Sequence, residues 1–430
     1  MKKIYLLISI LFISFAFLSC SESTTQEMTY EPTTNIEMTI EIGTEFSLFE
    51  MAKYHSIAIT PNNQVYGWGN NQFGQLGELS NSSSNIVNLT HYFELSTNED
   101  IIDIALGDFH SSILTSEGHL FAWGSNAQGQ IGDETTNSRY IPVEVSQHFN
   151  LNQDERLIDI ESGAGNMMAL TSEGRVFSWG YNDYGQVGLG PTNSAYTEAV
   201  DITDSLNLSL NEEVQKISIG YHHSAILTSN GRILLWGYNN VGQLGNGTIA
   251  SVFMPTDHTQ YLPLRDGEVI TDIELGYYHS MVLTSDNRVF VWGLNENGQL
   301  GNQSRDSLLF PTDITEEFDL DEDDFITSLS LGGWMSSAIS NDGQVFMWGS
   351  NGQGRLAMTA ARDFLIPTKI LDQFDLYENE VIEEVILGAW SSSALTSYGR
   401  LFTWGRNNTF QLGYNFNQES NPEPGQIIIE

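Results

Sequence analysis

The sequence predicts an all-β fold, a seven-bladed β-propeller of four-stranded antiparallel blades, and two observations lead to it. The first is a set of seven Trp-Gly pairs with successive spacings of 55, 56, 57, 56, 56 and 56 residues. A fixed period of this length indicates an array of equivalent units that bury their apolar faces against one another. The second is that each period contains short alternating apolar runs bounded by turn residues, as strands do. The pairs begin at Trp68, Trp123, Trp179, Trp236, Trp292, Trp348 and Trp404.

The repeat at 217–245, ISIGYHHSAILTSNGRILLWGYNNVGQLG, gives the order of the elements. One strand leads into a Gly-x-x-His loop, a second runs to a Thr-Ser-x-Gly hairpin, and a third ends at the Trp-Gly pair. A fourth, outer strand with proline at its entry is expected after each Gly-Gln-Leu-Gly turn, for example at 142–145. Four strands in each of seven units make a propeller, in which the tryptophan wedges between blades. Segments 36–42 and 426–429 are expected to close the ring.

The first twenty residues read as a separate targeting segment. Lys2 and Lys3 precede an uncharged, mostly apolar run at 4–18, which is too short to span a bilayer comfortably and is typical of a signal peptide. Cys20, the only cysteine, follows in a Phe-Leu-Ser-Cys stretch that resembles a bacterial lipoprotein signal. We therefore expect a leader at 1–20, lipidation of Cys20, a flexible tether at 21–35 and the propeller at 36–430. The alternative is an ordinary signal peptide that ends in a cysteine.

The charge of the chain restricts its partners. The net charge is −39, and it becomes −41 once Lys2 and Lys3 leave with the leader. Such a body is repelled by nucleic acid phosphates and by anionic lipid headgroups. We therefore expect no nucleic acid partner, and we expect membrane attachment through the lipid alone, on the extracytoplasmic side of the cell membrane.

The consensus Gly-x-x-His-Ser-x-x-Leu-Thr-Ser-x-Gly, followed by Trp-Gly-x-Asn-x-x-Gly-Gln-Leu-Gly, resembles the regulator of chromosome condensation repeat. The resemblance covers about residues 45 to 430 and implies a seven-bladed propeller. The best-known activity of that family, guanine nucleotide exchange on a nuclear small GTPase, conflicts with an export leader. Because members of the family have unrelated functions, the resemblance implies the fold and leaves the function open.

One face of the disc is the candidate binding face. Each innermost strand crosses the disc, so the Gly-x-x-His and Gly-Gln-Leu-Gly loops share one face, and the acidic loops share the opposite face with the Thr-Ser-x-Gly hairpins. Six of the seven Gly-x-x-His loops carry an aromatic ring at their second variable position, which is the composition of a binding hot spot. The alternative is that the rings plug the central channel. The predicted partner-binding residues are Tyr54, Phe109, Tyr221, His222, Tyr277, Tyr278, Trp334 and Trp390.

The repeated polar residues are expected to be structural. His55, His110, His223 and His279 occupy one equivalent slot, and such repetition favours a hydrogen bond that holds each loop over metal binding or catalysis. The acidic loops follow a Phe-x-Leu-x-x-x-Glu signature and are expected to be exposed, so that no carboxyl has perturbed acidity. Their densest clusters, at 319–324 and 378–384, match calcium only in ligand type, and solvated charge is preferred.

No catalytic motif is present, and we expect no enzyme, no catalytic residue, no metal and no cofactor. The function predicted from the sequence is that of a monomeric, lipid-anchored propeller that binds a protein or peptide through its aromatic loops. Two alternatives remain, a guanine nucleotide exchange factor-like regulator of a small GTPase and a glycan-binding propeller that stacks sugars on the same rings.

Overall fold

The computed structural model describes residues 44–79, 84–191, 194–414 and 418–429. Within them the chain forms seven four-stranded antiparallel sheets, and each sheet is built from consecutive strands. The innermost strands of neighbouring sheets contact one another around a circle, and the first also contacts the seventh. This confirms the predicted seven-bladed propeller. The predicted leader, Cys20, the tether and the closing segment 36–42 lie outside the described residues.

The strands occupy the predicted positions in each repeat. The innermost strands are Leu48–Met51 (β1), Ile101–Leu106 (β5), Leu157–Ser162 (β9), Val214–Ile219 (β13), Ile270–Leu275 (β17), Ile326–Leu331 (β21) and Ile382–Leu387 (β25). The second strands are His55–Ile59 (β2), His110–Thr115 (β6), Asn166–Thr171 (β10), His223–Thr228 (β14), His279–Thr284 (β18), Met335–Ser340 (β22) and Ser391–Thr396 (β26). The third strands are Val65–Gly69 (β3), Leu120–Gly124 (β7), Val176–Tyr181 (β11), Ile233–Gly237 (β15), Val289–Gly293 (β19), Val345–Gly349 (β23) and Leu401–Arg406 (β27).

The outer strands are Ser84–Asn88 (β4), Arg139–Glu144 (β8), Ala195–Asp201 (β12), Val252–Asp257 (β16), Leu308–Asp313 (β20), Phe364–Lys369 (β24) and Ser420–Gln426 (β28). Proline was expected at the entry of these strands, and this was wrong in detail. Pro142, for example, lies inside β8, where the pairing with β7 is interrupted between Ala122 and Gly124. Proline is tolerated there because an edge strand with irregular pairing does not need its N–H.

Short 3-10 helices connect the blades. They are Thr90–Tyr92, Ser146–His148, Thr203–Leu206, Thr259–Tyr261, Thr315–Glu317 and Leu371–Gln373, with a further one at Gly352–Gly354 in a loop of blade six. None of the helices in the described part of the chain has the length and apolar character needed to cross a membrane.

The core lies between the blades, as the position of the tryptophans predicts. All seven Trp-Gly tryptophans are fully buried. Trp123 of blade two packs in one cluster with Ile57 and Ile59 of blade one, and its Nε1 donates to the Gln75 carbonyl of that blade, 2.9 Å away. Each ring therefore joins two blades both by apolar contact and by a hydrogen bond.

The ring closes through the two ends of the described chain. Trp68 of blade one donates to the Gln411 carbonyl of blade seven at 2.9 Å, in the same way as the other tryptophans. Backbone N–H of Phe46 donates to Gly399, and the Thr44 hydroxyl donates to the Ile429 carbonyl. Segment 426–429 therefore takes part in closure as expected, and 44–46 supplies the other side.

Candidate functional site

The aromatic loop positions are held in place by the glycine of each Trp-Gly pair. A Cβ on Gly124 would lie 2.5 Å from the carbonyl oxygen of Phe109, and a Cβ on Gly349 would lie 2.6 Å from that of Trp334, so only glycine permits this approach. The residue after each glycine then donates its N–H to the same carbonyl, as Ser125 does to Phe109 at 2.8 Å. The close approach of the glycine and this hydrogen bond fix the loops that carry the rings. Little conformational entropy would therefore be lost if the rings contacted another molecule.

All eight predicted partner-binding residues lie in one connected set of rings, which we call the aromatic belt. The contacts, with centroid distances, join Phe109 to Tyr54 (5.1 Å), Tyr54 to Trp390 (6.0 Å), Trp390 to Trp334 (6.0 Å), Trp334 to Tyr277 (5.6 Å), Tyr277 to Tyr221 (4.4 Å), and Tyr221 to both His222 (4.4 Å) and Tyr278 (5.6 Å). Every member is half-buried. The belt therefore keeps part of each ring available to solvent.

Four further rings extend the belt, and the sequence analysis missed them. Phe73 contacts Phe109 at 4.9 Å, and Tyr184 contacts His222 at 5.1 Å. Tyr238 and Tyr181 pack beside them in blades four and three. Phe73, Tyr184 and Tyr238 lie in the loops between the Trp-Gly pair and the Gly-Gln-Leu-Gly turn, and Tyr181 ends β11 just before that loop. Their repeat positions were the signal that could have identified them.

The centre of this face contains a polar network whose residues line the channel. Tyr221 and Tyr277 donate their hydroxyls to Asp108 at 3.1 and 3.4 Å, and Lys53 Nζ lies 3.5 Å from the same carboxylate. Burial raises the pKa of Asp108, and the nearby Lys53 opposes this rise. Lys53 Nζ also lies 5.1 Å from the ring centroid of Trp390, within cation–π range. Tyr221 and Tyr277 thus line the mouth of the channel while they remain part of the belt.

The belt is embedded in loops with almost no net charge. In the seven Gly-x-x-His loops and the seven loops that end in the Gly-Gln-Leu-Gly turn, the carboxylates are Asp108, Asp183 and Glu296, and the cations are Lys53, Arg355 and Arg406. The chain as a whole carries −39. In these segments, an approaching molecule therefore meets rings and amides among balanced charges.

The four equivalent histidines confirm the structural role that was expected. Each Nε2 lies within hydrogen-bond distance of a serine hydroxyl on the following blade: His55 and Ser111 at 2.7 Å, His110 and Ser162 at 3.0 Å, His223 and Ser280 at 3.1 Å, His279 and Ser336 at 3.0 Å. Burial lowers the pKa of His223 to about 3. The rings are therefore neutral and join neighbouring blades.

The acidic loops differ from the expectation of uniformly exposed carboxylates. In blades three, four, five and seven, the last glutamate of the signature is buried, and it forms an ion pair with an arginine of the adjacent hairpin. In blade four, Glu212 accepts from Arg232 Nε at 2.7 Å and from the Ser209 N–H at 2.8 Å, and these hydrogen bonds lower the pKa of Glu212 to about 2. The prediction of unperturbed acidity was therefore wrong here, because the loop folds back onto the hairpin, where Arg232 and the Ser209 N–H hydrogen-bond the ionised carboxylate.

The calcium hypothesis for the acidic face finds no geometric support. Asp319, Asp321 and Glu322 are exposed, as solvated surface charges are. No three His, Cys, Asp or Glu side chains in the described ranges are grouped so that they could hold a metal ion.

Comparison with known proteins identifies the family. The chain matches the RCC1-like domain over residues 21–265 and 91–429, and it belongs to that family. It is 28% identical over 320 residues to the ultraviolet-B receptor UVR8 of Arabidopsis thaliana, covering 74% of this chain and 68% of the receptor. It is 30% identical over 298 residues to the mitochondrial RCC1 domain-containing protein RUG3 of Arabidopsis thaliana, covering 69% of this chain and 63% of that protein.

A solved structure agrees with the fold. The crystal structure of Prp20p from Saccharomyces cerevisiae superposes with a TM-score of 0.69 at 19% identity, covering 89% of this chain and 87% of Prp20p. That structure is described together with the binding of Prp20p to Gsp1p and histones. At this identity the likeness concerns the fold alone.

Proposed function

We propose that this member of the RCC1-like domain family is a binding protein that engages a protein or peptide partner through the aromatic belt. The observation that carries the proposal is the connected set of eight half-buried rings on a rigid, nearly uncharged loop face. Aromatic side chains that are already ordered bury much area at little entropy cost, which is why they dominate interface hot spots. Recognition by loops on a rigid scaffold is the usual division of labour in such folds.

The partner-binding role is also consistent with a relative. Prp20p is described with its binding to Gsp1p and histones, so a propeller of this fold can serve as a binding platform for proteins. We propose binding without catalysis, since the equivalent histidines and the clamped glutamates have structural roles between or within blades.

We further propose that the propeller is attached to the outer side of a cell membrane by lipid on Cys20. The support is the sequence alone, a basic start followed by an apolar run and the only cysteine of the chain. A Cys20→Ala variant should lose incorporation of labelled fatty acid and move from the membrane to the soluble fraction. Retention of Cys20→Ala in the membrane fraction without label would contradict lipid anchoring.

The experiment for the belt is affinity capture from cell-surface and secreted protein extracts, using residues 21–430 as bait. A variant with Tyr278→Ala, Trp334→Ala and Trp390→Ala should lose the partner that the unchanged bait retains. The matched control replaces three exposed apolar residues elsewhere, Met254→Ala, Phe310→Ala and Ile366→Ala, which lie on outer strands. Loss with the belt variant and retention with the control would support the belt.

Other outcomes separate the alternatives. Capture that survives the belt variant would assign the rings to channel packing. Binding of immobilised glycans that is lost in the belt variant, without any protein captured, would favour the sugar-stacking role. Acceleration of guanine nucleotide release from a small GTPase by the full-length chain would favour the exchange-factor role.

A further inference from the structure

The central channel below the aromatic belt is a second candidate site. The innermost strands leave a cavity of about 370 Å³ along the axis of the propeller. Its volume is within the range of about 300–1,000 Å³ typical of small-molecule pockets. Its wall is acidic, since several of the innermost strands place carboxylates on it. The carboxylates on the wall below the mouth are Glu50, Glu161, Asp272, Glu274 and Glu384.

The wall carries more negative than positive groups. Among the described residues that line the cavity, the cations are Lys53, which pairs with Asp108 at the mouth, and Lys216. Lys216 Nζ lies 2.6 Å from Asp272 and 2.5 Å from Glu274. Glu50, Glu161 and Glu384 have no cationic partner within hydrogen-bond distance in the described part of the chain. Three carboxylates of the cavity are therefore left without a counter-ion.

A buried hydroxyl in the same wall also lacks a partner. The Ser218 side chain is 2% exposed and lines the cavity, two residues after Lys216 on β13. Its hydroxyl makes no hydrogen bond to any residue that the structure describes. The hydroxyl is therefore open to the cavity, and a ligand there would be within reach of one further hydrogen bond.

We propose that the channel binds a linear organic polycation, a polyamine, between the carboxylates of Glu50, Glu161 and Glu384. Glu50 and Glu161 each lie two residues before the first position of their Gly-x-x-His loop, and Glu384 lies four residues before its own, so these acidic groups come from three blades at two levels of the wall. No three of them in the described residues are close enough to hold a metal ion. A divalent cation needs several oxygens at 2.3–2.6 Å from one point, whereas a polyamine places its ammonium groups several methylenes apart. Its methylenes would contact the apolar wall at Ile219 and Leu275, and Ser218 would accept or donate one hydrogen bond.

Solvent can reach the carboxylates, and protons compete with the ligand. The side chains of Lys216, Asp272 and Glu274 are 31, 23 and 25% exposed. Burial, together with repulsion from Glu384, raises the pKa of Glu50 to about 8, and burial raises the pKa of Glu161 and of Glu384. Burial also raises the pKa of Asp103 on β5 and of Asp159 on β9, and the charge of Asp159 adds to the rise at Asp103. A bound polycation must displace these protons, so binding should tighten as pH rises.

The test is calorimetric titration of the full-length chain with spermidine at about 0.15 M salt, where surface charges more than about 8 Å apart are screened. We expect saturable binding with one site per chain, and weaker binding at about pH 6 than at about pH 8, because the cation displaces carboxyl protons while its own ammonium groups keep their charge over this range. The Glu50→Gln, Glu161→Gln, Glu384→Gln variant should weaken binding by about tenfold or more, since hydrogen bonds between charged groups are the strong ones.

The control variant removes the same number of charges from the exposed acidic face, Asp319→Asn, Asp321→Asn and Glu322→Gln. It should bind spermidine as the unchanged chain does, and an equal loss in both variants would overturn the proposal in favour of diffuse attraction to an acidic protein. Saturable Ca²⁺ binding with no saturable spermidine binding would also overturn it. Thermal unfolding shows whether the channel variant is folded, and its melting temperature at about pH 9 should equal or exceed that of the unchanged chain, because amides relieve the repulsion. Partner capture by the belt does not depend on this result.

Discussion

Glu212→Gln is the sharpest test of how the acidic loops stabilise the blades. The substitution keeps the shape of a buried side chain and removes its charge, so that the Arg232 guanidinium loses an ionic partner at 2.7 Å. The hydrogen bond from Arg232 is the main cause of the fall in the pKa of Glu212 from 4.5 to about 2. A shift of that size corresponds to at most about 3 kcal/mol of folding free energy at neutral pH. Because the Arg232 side chain is 26% exposed, solvent screening reduces the expected loss to about 1–2 kcal/mol.

The loss should depend on pH with a definite sign. Because the pKa of Glu212 is lower in the folded state than in the unfolded chain, the ionised carboxylate stabilises the fold fully above the unfolded pKa. That stabilisation disappears as pH falls from about 4.5 toward about 2. Hydrogen exchange of the hairpin at 229–233, read by mass spectrometry, should therefore speed up in Glu212→Gln at pH 7 and differ less from the unchanged chain at pH 3. Glu213→Gln, at the exposed neighbouring position, is the control and should leave exchange unchanged. Equal acceleration in both variants, or a difference that does not shrink in acid, would refute the ionic account.

Two further predictions follow from the geometry of the blades. Burial lowers the pKa of His279 to about 3, so the folded state binds a proton there less readily than the unfolded chain does. The stability that the neutral ring contributes is fully present above about pH 6.5 and is lost as the pH falls. The melting temperature should therefore drop between pH 7.5 and pH 5. His279→Met, which reproduces the residue that blade six has at this position (Met335), should make that drop smaller, and an unchanged drop would show that other groups cause it. At the channel mouth, Lys53→Met should destabilise by about 1–2 kcal/mol, because the buried Asp108 loses its cation. Addition of Asp108→Asn to Lys53→Met should recover part of that loss in the free energy of unfolding, measured with denaturant. If the effects of the two substitutions simply added, the Lys53–Asp108 coupling would be contradicted.

The sequence predicted the features that seven repeats display in the same way. The tryptophans and histidines recur at one position in each period, so their shared packing role could be inferred before any contact was known. The glutamate–arginine clamp recurs too, with 20 residues between Glu155 and Arg175 and between Glu212 and Arg232. It was missed because the glutamate was classed with the exposed acids around it, and a constant spacing to a residue of opposite charge was the available signal.

Features that depend on closing the ring could not be predicted in this way. The partners of Asp108 are Tyr221 and Tyr277, which are 113 and 169 residues away in sequence. They meet because the first variable positions of different blades converge on the axis. The acidic cavity has the same origin, since all seven blades contribute residues to its wall. Each of these residues looks unremarkable within its own repeat, and only the circular arrangement brings them together.

The distribution of charge connects the two proposed sites. A chain with a net charge of −39 repels most acidic surfaces, yet its aromatic loops contain three carboxylates and three cations. The aromatic loops thus carry no excess of carboxylates over cations. A partner that buried these rings would therefore not have to desolvate unpaired carboxylates, which would be costly. Inside the channel, the same excess is left without counter-ions at Glu50, Glu161 and Glu384. The Lys53–Asp108 network stands between the two environments, since Lys53 contacts the belt through Trp390 and lines the cavity below. A partner that displaced Tyr221 or Tyr277 from Asp108 would therefore alter the polar cover of the acidic channel, which gives the belt and the channel a physical route by which to influence each other.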